Sequence, residues 1–430
     1  MYNIAVIGAG PAGYNCAIKF AKQGKKVALI EKNSLGGTCL NCGCIPTKFL
    51  WQAAKTKQKI SKSFEYGIKA NIENINFADI VAKKNKLVGN LVKGVERLLK
   101  TNNVEIIKGQ ASFKSKNELI VQTSDGDIEI QSEKIVIATG SDCKSIPNTE
   151  FDHKKYISST DALNLTELPK NMLVIGGGAI GIELGSIFSA FGVNVVLREV
   201  CPQLLPNEDG ELATELTKVL ARQGIKVEVS CTEPLKDEDK FDKILIAAGR
   251  KSLAEDLNTE KINLTLDKKN FVETKNYSTN IENIFAIGDA SGKGFLAYTA
   301  EQDADNLVSQ TESASLVPKV VFSFPPAASV KATDFDNYKN IVYTKTSYSS
   351  NARAQIEGER TGWIKTAVDK DSCKILGVWI LGANADEMIN TASVIIGAGM
   401  KVSDIKREMF FHPCLSEILY DNVQCIMNDN

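Results

Sequence analysis

Residues 36–48 read GGTCLNCGCIPTK, and Cys39, Cys42 and Cys44 are the only clustered members of the chain's ten cysteines. Thiols so close in a reducing cytosol do redox or metal chemistry more often than structural stapling. Zinc is the poorer reading: no fourth ligand lies nearby, and C-x2-C-x-C is not a spacing of the common zinc modules. We take Cys39 and Cys44 as the working pair; on residue type alone Cys42 competes for a partner, and we read it as a bystander. Five apart in a regular helix, Cys39 and Cys44 are too distant for a disulfide, so the turn holding them must be distorted, which Gly43 eases. A disulfide closing so small a loop stabilises little, so its value would be reactivity. A helix N-terminus there would lower one thiol's pKa. Cys16, Cys143, Cys201, Cys231, Cys373 and Cys425 are read by default as buried apolar side chains.

The chain has two histidines, His153 and His412. His412 precedes Pro413, which makes it extended at an element boundary. Pro413 suits the first position of a helix and would put Glu417 in that helix's first turn. An imidazole oriented by a carboxylate is an acid/base device for thiols. On local features alone a surface turn histidine is an equal reading. His153, among Asp152, Lys154 and Lys155, is read as solvated.

The elements that must position these groups appear as an internal repeat. Ile4-Ala5-Val6-Ile7 runs into Gly8-Ala9-Gly10-Pro11-Ala12-Gly13, and Leu173-Val174-Ile175 runs into Gly176-Gly177-Gly178-Ala179-Ile180-Gly181. Each is a strand, then G-x-G-x-x-G, then a helical pattern. Second strands follow, Val27 to Ile30 ending at Glu31 and Val193 to Leu197 leading to Glu199. The first glycine permits the tight turn, the second lets backbone approach a pyrophosphate, and the third lets helix and strand pack closely. The helix N-terminus offers free N–H groups to the anion, and the carboxylate accepts from a ribose diol. One such motif is weak; two with the full context imply two bound dinucleotides. Closing strands end in small residues, Ile135 to Gly140 and Ile244 to Gly249. Between 104 and 132 the pattern, with Asp125-Gly126, predicts a β-meander; the second copy has only 226–242 there, short for the same excursion.

Bulk properties agree with a chain of two to four domains. A chain of 430 residues exceeds one hydrophobic core, and 43% hydrophobic with 24% charged residues is an ordinary globular composition. Lys+Arg 51 against Asp+Glu 52 gives a net charge of -1, with no basic field for nucleic acid. No apolar run spans a bilayer. The N-terminus lacks a basic region and meets a glycine turn at once, so it reads as a first strand and not a signal peptide. The expected compartment is the cytoplasm.

Residues 36–48 resemble the active-site segment of the pyridine nucleotide–disulfide oxidoreductases, with wording most similar to the dihydrolipoamide dehydrogenase branch. Thr279 to Asp289 resembles the family's second flavin motif, Pro318 to Val330 the start of its dimerisation domain, and His412-Pro413-Cys414-Leu415-Ser416-Glu417 its C-terminal motif. The resemblance implies that Cys39 exchanges with a dithiol substrate and that Cys44 lies against the flavin. It implies that His412, held by Glu417, acts on the cysteine pair of the other subunit of a homodimer, and that Lys48 pairs with Glu183 beside the flavin. Gly8, Gly10, Gly13, Glu31, Gly37, Thr38, Lys48, Ala111, Thr139, Gly140, Ser141, Asp289 and Ala297 would hold FAD. Gly176, Gly178, Gly181, Glu199 and Gly249 would hold the nicotinamide dinucleotide. Glu199 favours NAD, since a carboxylate binds a 2′-hydroxyl and repels a 2′-phosphate; Arg198 beside it is the residue that argues for NADP.

The implied fold is α/β: two Rossmann-like domains for FAD and NAD plus a C-terminal α+β dimerisation domain. Expected limits are 1–145 and 269–314 for a split FAD domain, 146–268 for the NAD domain and 315–430 for the interface. The implied activity is oxidation of dihydrolipoyl-protein with NAD. The partner would be a lipoyl domain of a 2-oxo acid dehydrogenase acyltransferase or a glycine-cleavage carrier, and no lipoyl domain is fused ahead of Ile4. Rivals are another disulfide or metal-ion reductase of the family, or a catalytically silent flavoprotein module. Against a mercuric or large thioredoxin reductase, the end of the chain carries one cysteine, Cys425, and no pair. The chain departs from the family in Tyr298, where many members have His, in Cys414 for Thr, and in Lys251-Ser252-Leu253 after Gly249-Arg250, where proline is frequent.

Overall fold

The computed structural model describes residues 1–311 and 316–425. Its first sheet begins with the strand Tyr2–Ile7, whose Ile4, Ala5, Val6 and Ile7 are all buried. Burial on both faces is the mark of a parallel strand covered by helices. Val27–Glu31 and the long strand Gly126–Ile137 flank it in parallel, Ile4 lying opposite both Val27 and Lys134. Glu105–Lys108 extends one edge, and Ile284–Ala286 adds in parallel to Gly126–Ile137 from far along the chain. Gln110–Ser115, Glu118–Thr123 and Gly126–Ile137 make the expected antiparallel meander.

The second repeat builds a wholly parallel sheet in the order Lys226–Glu228, Asn194–Arg198, Asn171–Ile175, Lys243–Ile246, Tyr156–Ile157. Its excursion is indeed abbreviated: Lys226–Glu228 is followed by one short 3-10 turn, Glu238–Lys240, before Lys243–Ile246. A two-stranded antiparallel ribbon, Ser141–Cys143 with Arg250–Ser252, joins the units where the chain leaves the first and returns from the second. We propose the limits 1–145, 146–268 and 269–314 on this topology; the limit at 314/315 lies outside the described residues.

The C-terminal unit is a five-stranded antiparallel sheet, Lys319–Val321, Ala327–Lys331, Ile375–Leu381, Trp363–Asp369 and Ile341–Ser347. Helix Ala385–Gly397 covers one face through Met388, Ile389, Ala392 and Ile396. The other face meets helix Gly210–Arg222 of the second unit, where Lys365 Nζ donates to Asp209 (2.8 Å) and Glu211 (3.0 Å). No described helix is long and apolar enough to cross a membrane.

Two sequence expectations fail locally. Pro413 is not a helix N1 residue: the helix is Glu417–Cys425, four residues further on, and the His412-Pro413 peptide is cis. Cys373 and Cys425 are exposed, and Cys143 and Cys201 half-buried; only Cys16 and Cys231 fit the buried default. Cys373 sits at a tight turn with φ 58, which holds it outside the core.

Candidate active site

The cysteine segment folds as two consecutive helices, Gly37–Cys42 and Cys44–Ser61, broken at Gly43. The distortion expected between Cys39 and Cys44 is this break. A side chain on Gly43 would meet the Thr38 carbonyl oxygen at 2.9 Å, so only glycine lets the first helix return over the second. Helix Cys44–Ser61 is fixed by Thr47, Leu50, Trp51 and Ala54, an i, i+3, i+4, i+7 stripe facing inward. Trp51 Nε1 donates to the Ser323 carbonyl at 3.1 Å and its ring stacks on Phe324, tying the helix to the C-terminal unit. Leu50 is fully buried, and cutting it to Ala costs roughly 2–5 kcal/mol.

Cys39 and Cys44 are free thiols in hydrogen-bond contact. The hydrogen bond from Cys39, and next the Lys48 cation, bring the Cys44 thiol down from 9.0 to about 7, against burial and the Glu183 charge. Cys39 moves the other way: its proton serves that hydrogen bond, and burial adds to the rise. Of the pair, Cys44, the first residue of its helix, is therefore the thiol that ionises first, as expected of a reactive pair. Lys48 Nζ donates to Glu183 Oε2 at 2.8 Å, and the second carboxylate oxygen accepts from the Phe322 backbone N–H at 3.2 Å. Lys48 also sits 4.3 Å over the Phe322 ring. Phe322 had no signal in the sequence, because its role comes from a contact 139 residues away. Tyr298, at the start of helix Ala297–Ser309, donates its hydroxyl to the Pro318 carbonyl, and its phenol is raised to about 12 by burial and by the Cys44 charge. Cys42 faces away from the pair: Thr160, Cys143 and Arg250 act on it, and burial raises its thiol.

His412 Nδ1 lies 2.8 Å from Glu417 Oε1, while Glu417 Oε2 accepts the Cys414 N–H at 2.8 Å. The Cys414 N–H, and then His412, keep the Glu417 carboxyl below its ordinary range. The imidazole is 74% exposed, beside Met409 and Phe411 at 98% and 76%. Among the described residues its one polar partner is Glu417, so a single chain joins the dyad but does not bring it to the thiols. His153 is exposed, as expected, with Asp161 at 3.0 Å.

The two glycine turns share one backbone geometry at equivalent positions. Gly8 and Gly176 have φ of +101° and +113°, conformations that favour glycine. A Cβ on Gly13 or Gly181 would fall 1.8 or 2.0 Å from the carbonyl oxygen of Gly8 or Gly176. Gly10 and Gly178 cap helices Pro11–Lys22 and Ala179–Ala190 with no side-chain hydrogen bond, leaving the first N–H groups to an anion. Glu31 accepts the N–H of Ala9 (2.7 Å) and Asn33 (2.7 Å); Glu199 accepts those of Gly177 (2.6 Å) and Cys201 (2.8 Å). Gly140 and Gly249, three residues past the ends of the closing strands, have φ of +73° and +125°, each with open space where a side chain would stand. In the first unit the backbone of Gly37 closes on that of Gly10, and a groove runs along Gly8, Glu31, Ala111 and Thr139. Thr139 Oγ1 is buried there without a partner. An unsatisfied hydroxyl, uncapped helix and glycine-only backbone fit an extended dinucleotide.

Arg198, by contrast, does not face the second turn. Its Nε donates to Glu228 Oε2 (2.8 Å) and its Nη1 to the carbonyls of Pro234 (2.9 Å) and Lys236 (2.6 Å), with a side chain 4% exposed. It holds the shortened loop against the sheet edge and offers nothing to a 2′-phosphate.

Residues 2–304 match the pyridine nucleotide-disulphide oxidoreductase family and residues 317–423 its dimerisation domain. The chain belongs to this family, whose cofactors are FAD and NAD, and its dimerisation domain supports a homodimer. It is an FAD-dependent oxidoreductase. Among its relatives, dihydrolipoyl dehydrogenase 2, mitochondrial, of Arabidopsis thaliana is 35% identical, over 97% of this chain and 89% of the relative. The dihydrolipoyl dehydrogenase of Geobacillus stearothermophilus is 36% identical, over 96% and 93%. Of solved structures, the Cu(II) complex of the HOCl-induced flavoprotein disulfide reductase RclA from Escherichia coli superposes with a TM-score of 0.88 at 29% identity, covering 99% of both chains.

Proposed function

We propose that the chain is a dihydrolipoyl dehydrogenase: dihydrolipoyl-protein plus NAD gives lipoyl-protein plus NADH and a proton. The observation that carries the reading is the Cys39–Cys44 pair, with its thiolate next to the Lys48–Glu183 ion pair. In the oxidised state a substrate thiolate bonds to Cys39 Sγ, the Cys39–Cys44 bond breaks, and Cys44 leaves as the thiolate its surroundings favour. The second substrate thiol then displaces Cys39, closing the lipoyl disulfide. His412 of the partner subunit takes the thiol proton, and Glu417 fixes its ring and balances the imidazolium charge. Bound FAD supplies the two-electron link from the thiol pair to NAD. Gly8, Gly10, Gly13, Glu31, Thr139, Gly140 and Asp289 hold the flavin nucleotide, and Gly176, Gly178, Gly181, Glu199 and Gly249 hold NAD. Lys48 offers a cation where negative charge develops. The partner is a lipoyl domain, and the compartment the cytoplasm, where thiols stay reduced.

The test is turnover of dihydrolipoamide with NAD and with NADP, beside reduction of glutathione disulfide with both reduced cofactors. Dihydrolipoamide turnover with NAD, abolished in Cys44→Ser, is the expected result. A second reading is supported by the likeness to RclA solved with Cu(II): reduction of another disulfide or a metal ion. Copper(II) reduction by NADH without dihydrolipoamide turnover would establish it in place of the first.

A further inference from the structure

Three residues from distant parts of the chain meet where the two dinucleotide units touch. Ser141 follows the open Gly140, Arg250 follows the open Gly249, and Asp289 lies in the 3-10 turn Gly288–Ser291, whose Gly288 packs on Ala12 of the first glycine-turn helix. Arg250 grips Ser141 twice: Nε donates to Oγ at 2.5 Å and Nη2 to the backbone oxygen at 2.5 Å. Ser141 Oγ donates in turn to Asp289 Oδ2 at 2.5 Å, and Arg250 Nε stands 3.7 Å from the same oxygen. Arg250 and Asp289 side chains are 13% and 21% exposed, so water screens the pair poorly.

We infer that Arg250 is a positioning residue for the flavin cofactor, neutralising Asp289 and fixing it through Ser141 so that a carboxylate can line the seat of a diphosphate-bearing dinucleotide. An aspartate accepts ribityl hydroxyls well, but unpaired it repels the cofactor's own phosphates. The guanidinium fork removes that repulsion and sets the rotamer of Ser141, the donor that aims Asp289. Because Arg250 belongs to the second unit and Asp289 to the first, the seat of one cofactor is completed by the domain that binds the other. The inference rests on the FAD reading of the first cradle.

The experiment compares wild type, R250Q, R250K, D289N and the R250Q/D289N double variant. It measures flavin per chain in purified holoenzyme and the rate of FAD release on dilution, read as the rise of free-flavin fluorescence. R250Q is expected to release FAD about tenfold faster or more, the loss of a charge-assisted contact. R250K keeps the charge but loses the fork on Ser141, so its release rate is expected about threefold above wild type, between wild type and R250Q. The double variant releases FAD more slowly than R250Q, because the unpaired carboxylate is gone. Wild-type rates in R250Q, an R250K rate equal to or above that of R250Q, or a double variant as fast as R250Q would each overturn the inference. Wild-type protein without flavin would instead overturn the reading beneath it. Should R250Q fail to fold, R250K decides, and release at the wild-type rate there overturns the inference.

Discussion

Lys48→Met separates two contributions to the Cys44 thiolate. In the native site the Cys39 hydrogen bond and then the Lys48 cation bring Cys44 from 9.0 to about 7, while burial and Glu183 oppose them. Methionine keeps the volume, removes the cation and leaves the Glu183 charge in place, so the thiol rises. A rise of about one unit cuts the thiolate fraction at pH 7 from about one half to about one tenth, and alkylation slows about fivefold. The assay is the rate of iodoacetamide modification of Cys44 in prereduced enzyme from pH 5 to 10, with the site assigned by peptide mapping. Thiolate accumulates as pH rises through the folded pKa, so the wild-type rate climbs with a midpoint near 7, and the variant's midpoint lies higher. Cys39→Ala is expected to raise it further, since the Cys39 hydrogen bond contributes most. Glu183 would keep only the Phe322 N–H, costing about 1–3 kcal/mol of stability. An unchanged midpoint in Lys48→Met would refute the electrostatic account of the pair.

His412→Gln should lower dithiol turnover about 10²- to 10⁴-fold with flavin content unchanged, and Glu417→Gln should lower it less; steady-state rates and flavin absorbance check both. Arg198→Ala leaves the carbonyls of Pro234 and Lys236 without their donor, while Glu228 keeps Lys226 at 2.7 Å, and should destabilise by roughly 1–3 kcal/mol, seen as a lower Tm. The ratio of NADH to NADPH activity should not move; a shift toward either cofactor would show that Arg198 reads the ribose. Gly181→Ala puts a methyl 2.0 Å from the Gly176 oxygen. It should abolish flavin reduction by NADH while FAD stays bound, whereas Gly13→Ala should lose FAD itself, measured by absorbance and stopped-flow reduction.

What the sequence shows well is what local chemistry dictates. The glycine turns, Glu31 and Glu199 are legible because their spacing answers a steric requirement within some twenty residues. The break at Gly43 follows from the distance that five helical residues would span. Residues that act across the chain are not legible. Phe322 beneath Lys48, and Arg250 against Ser141, depend on contacts that no periodicity announces. Arg198 misled for the related reason that an arginine beside a ribose-binding acid has two faces to choose from, and only the shortened loop, with its exposed carbonyls and Glu228, decides between them. Pro413 was misread because proline suits a helix start and a turn equally; here the turn aims His412 outward. The homodimer came from resemblance, and the exposed imidazole beside Met409 and Phe411 is the physical counterpart of that expectation.

Glu31 and Glu199 present one further consequence. Each carboxylate is held by backbone donors at equivalent positions, in the same order, so the two rings of contacts are alike in kind. On the proposed reading, two sites that treat an adenosine ribose alike cannot tell flavin from nicotinamide nucleotides at that end. Selection must therefore be made at the far end of each ligand, where the two units stop resembling one another. The first continues into a broken thiol helix with a lysine and a three-stranded meander, the second into a short loop closed by Arg198. The shared module supplies affinity for a common half of both molecules, and identity is decided by the parts of the protein that were never duplicated.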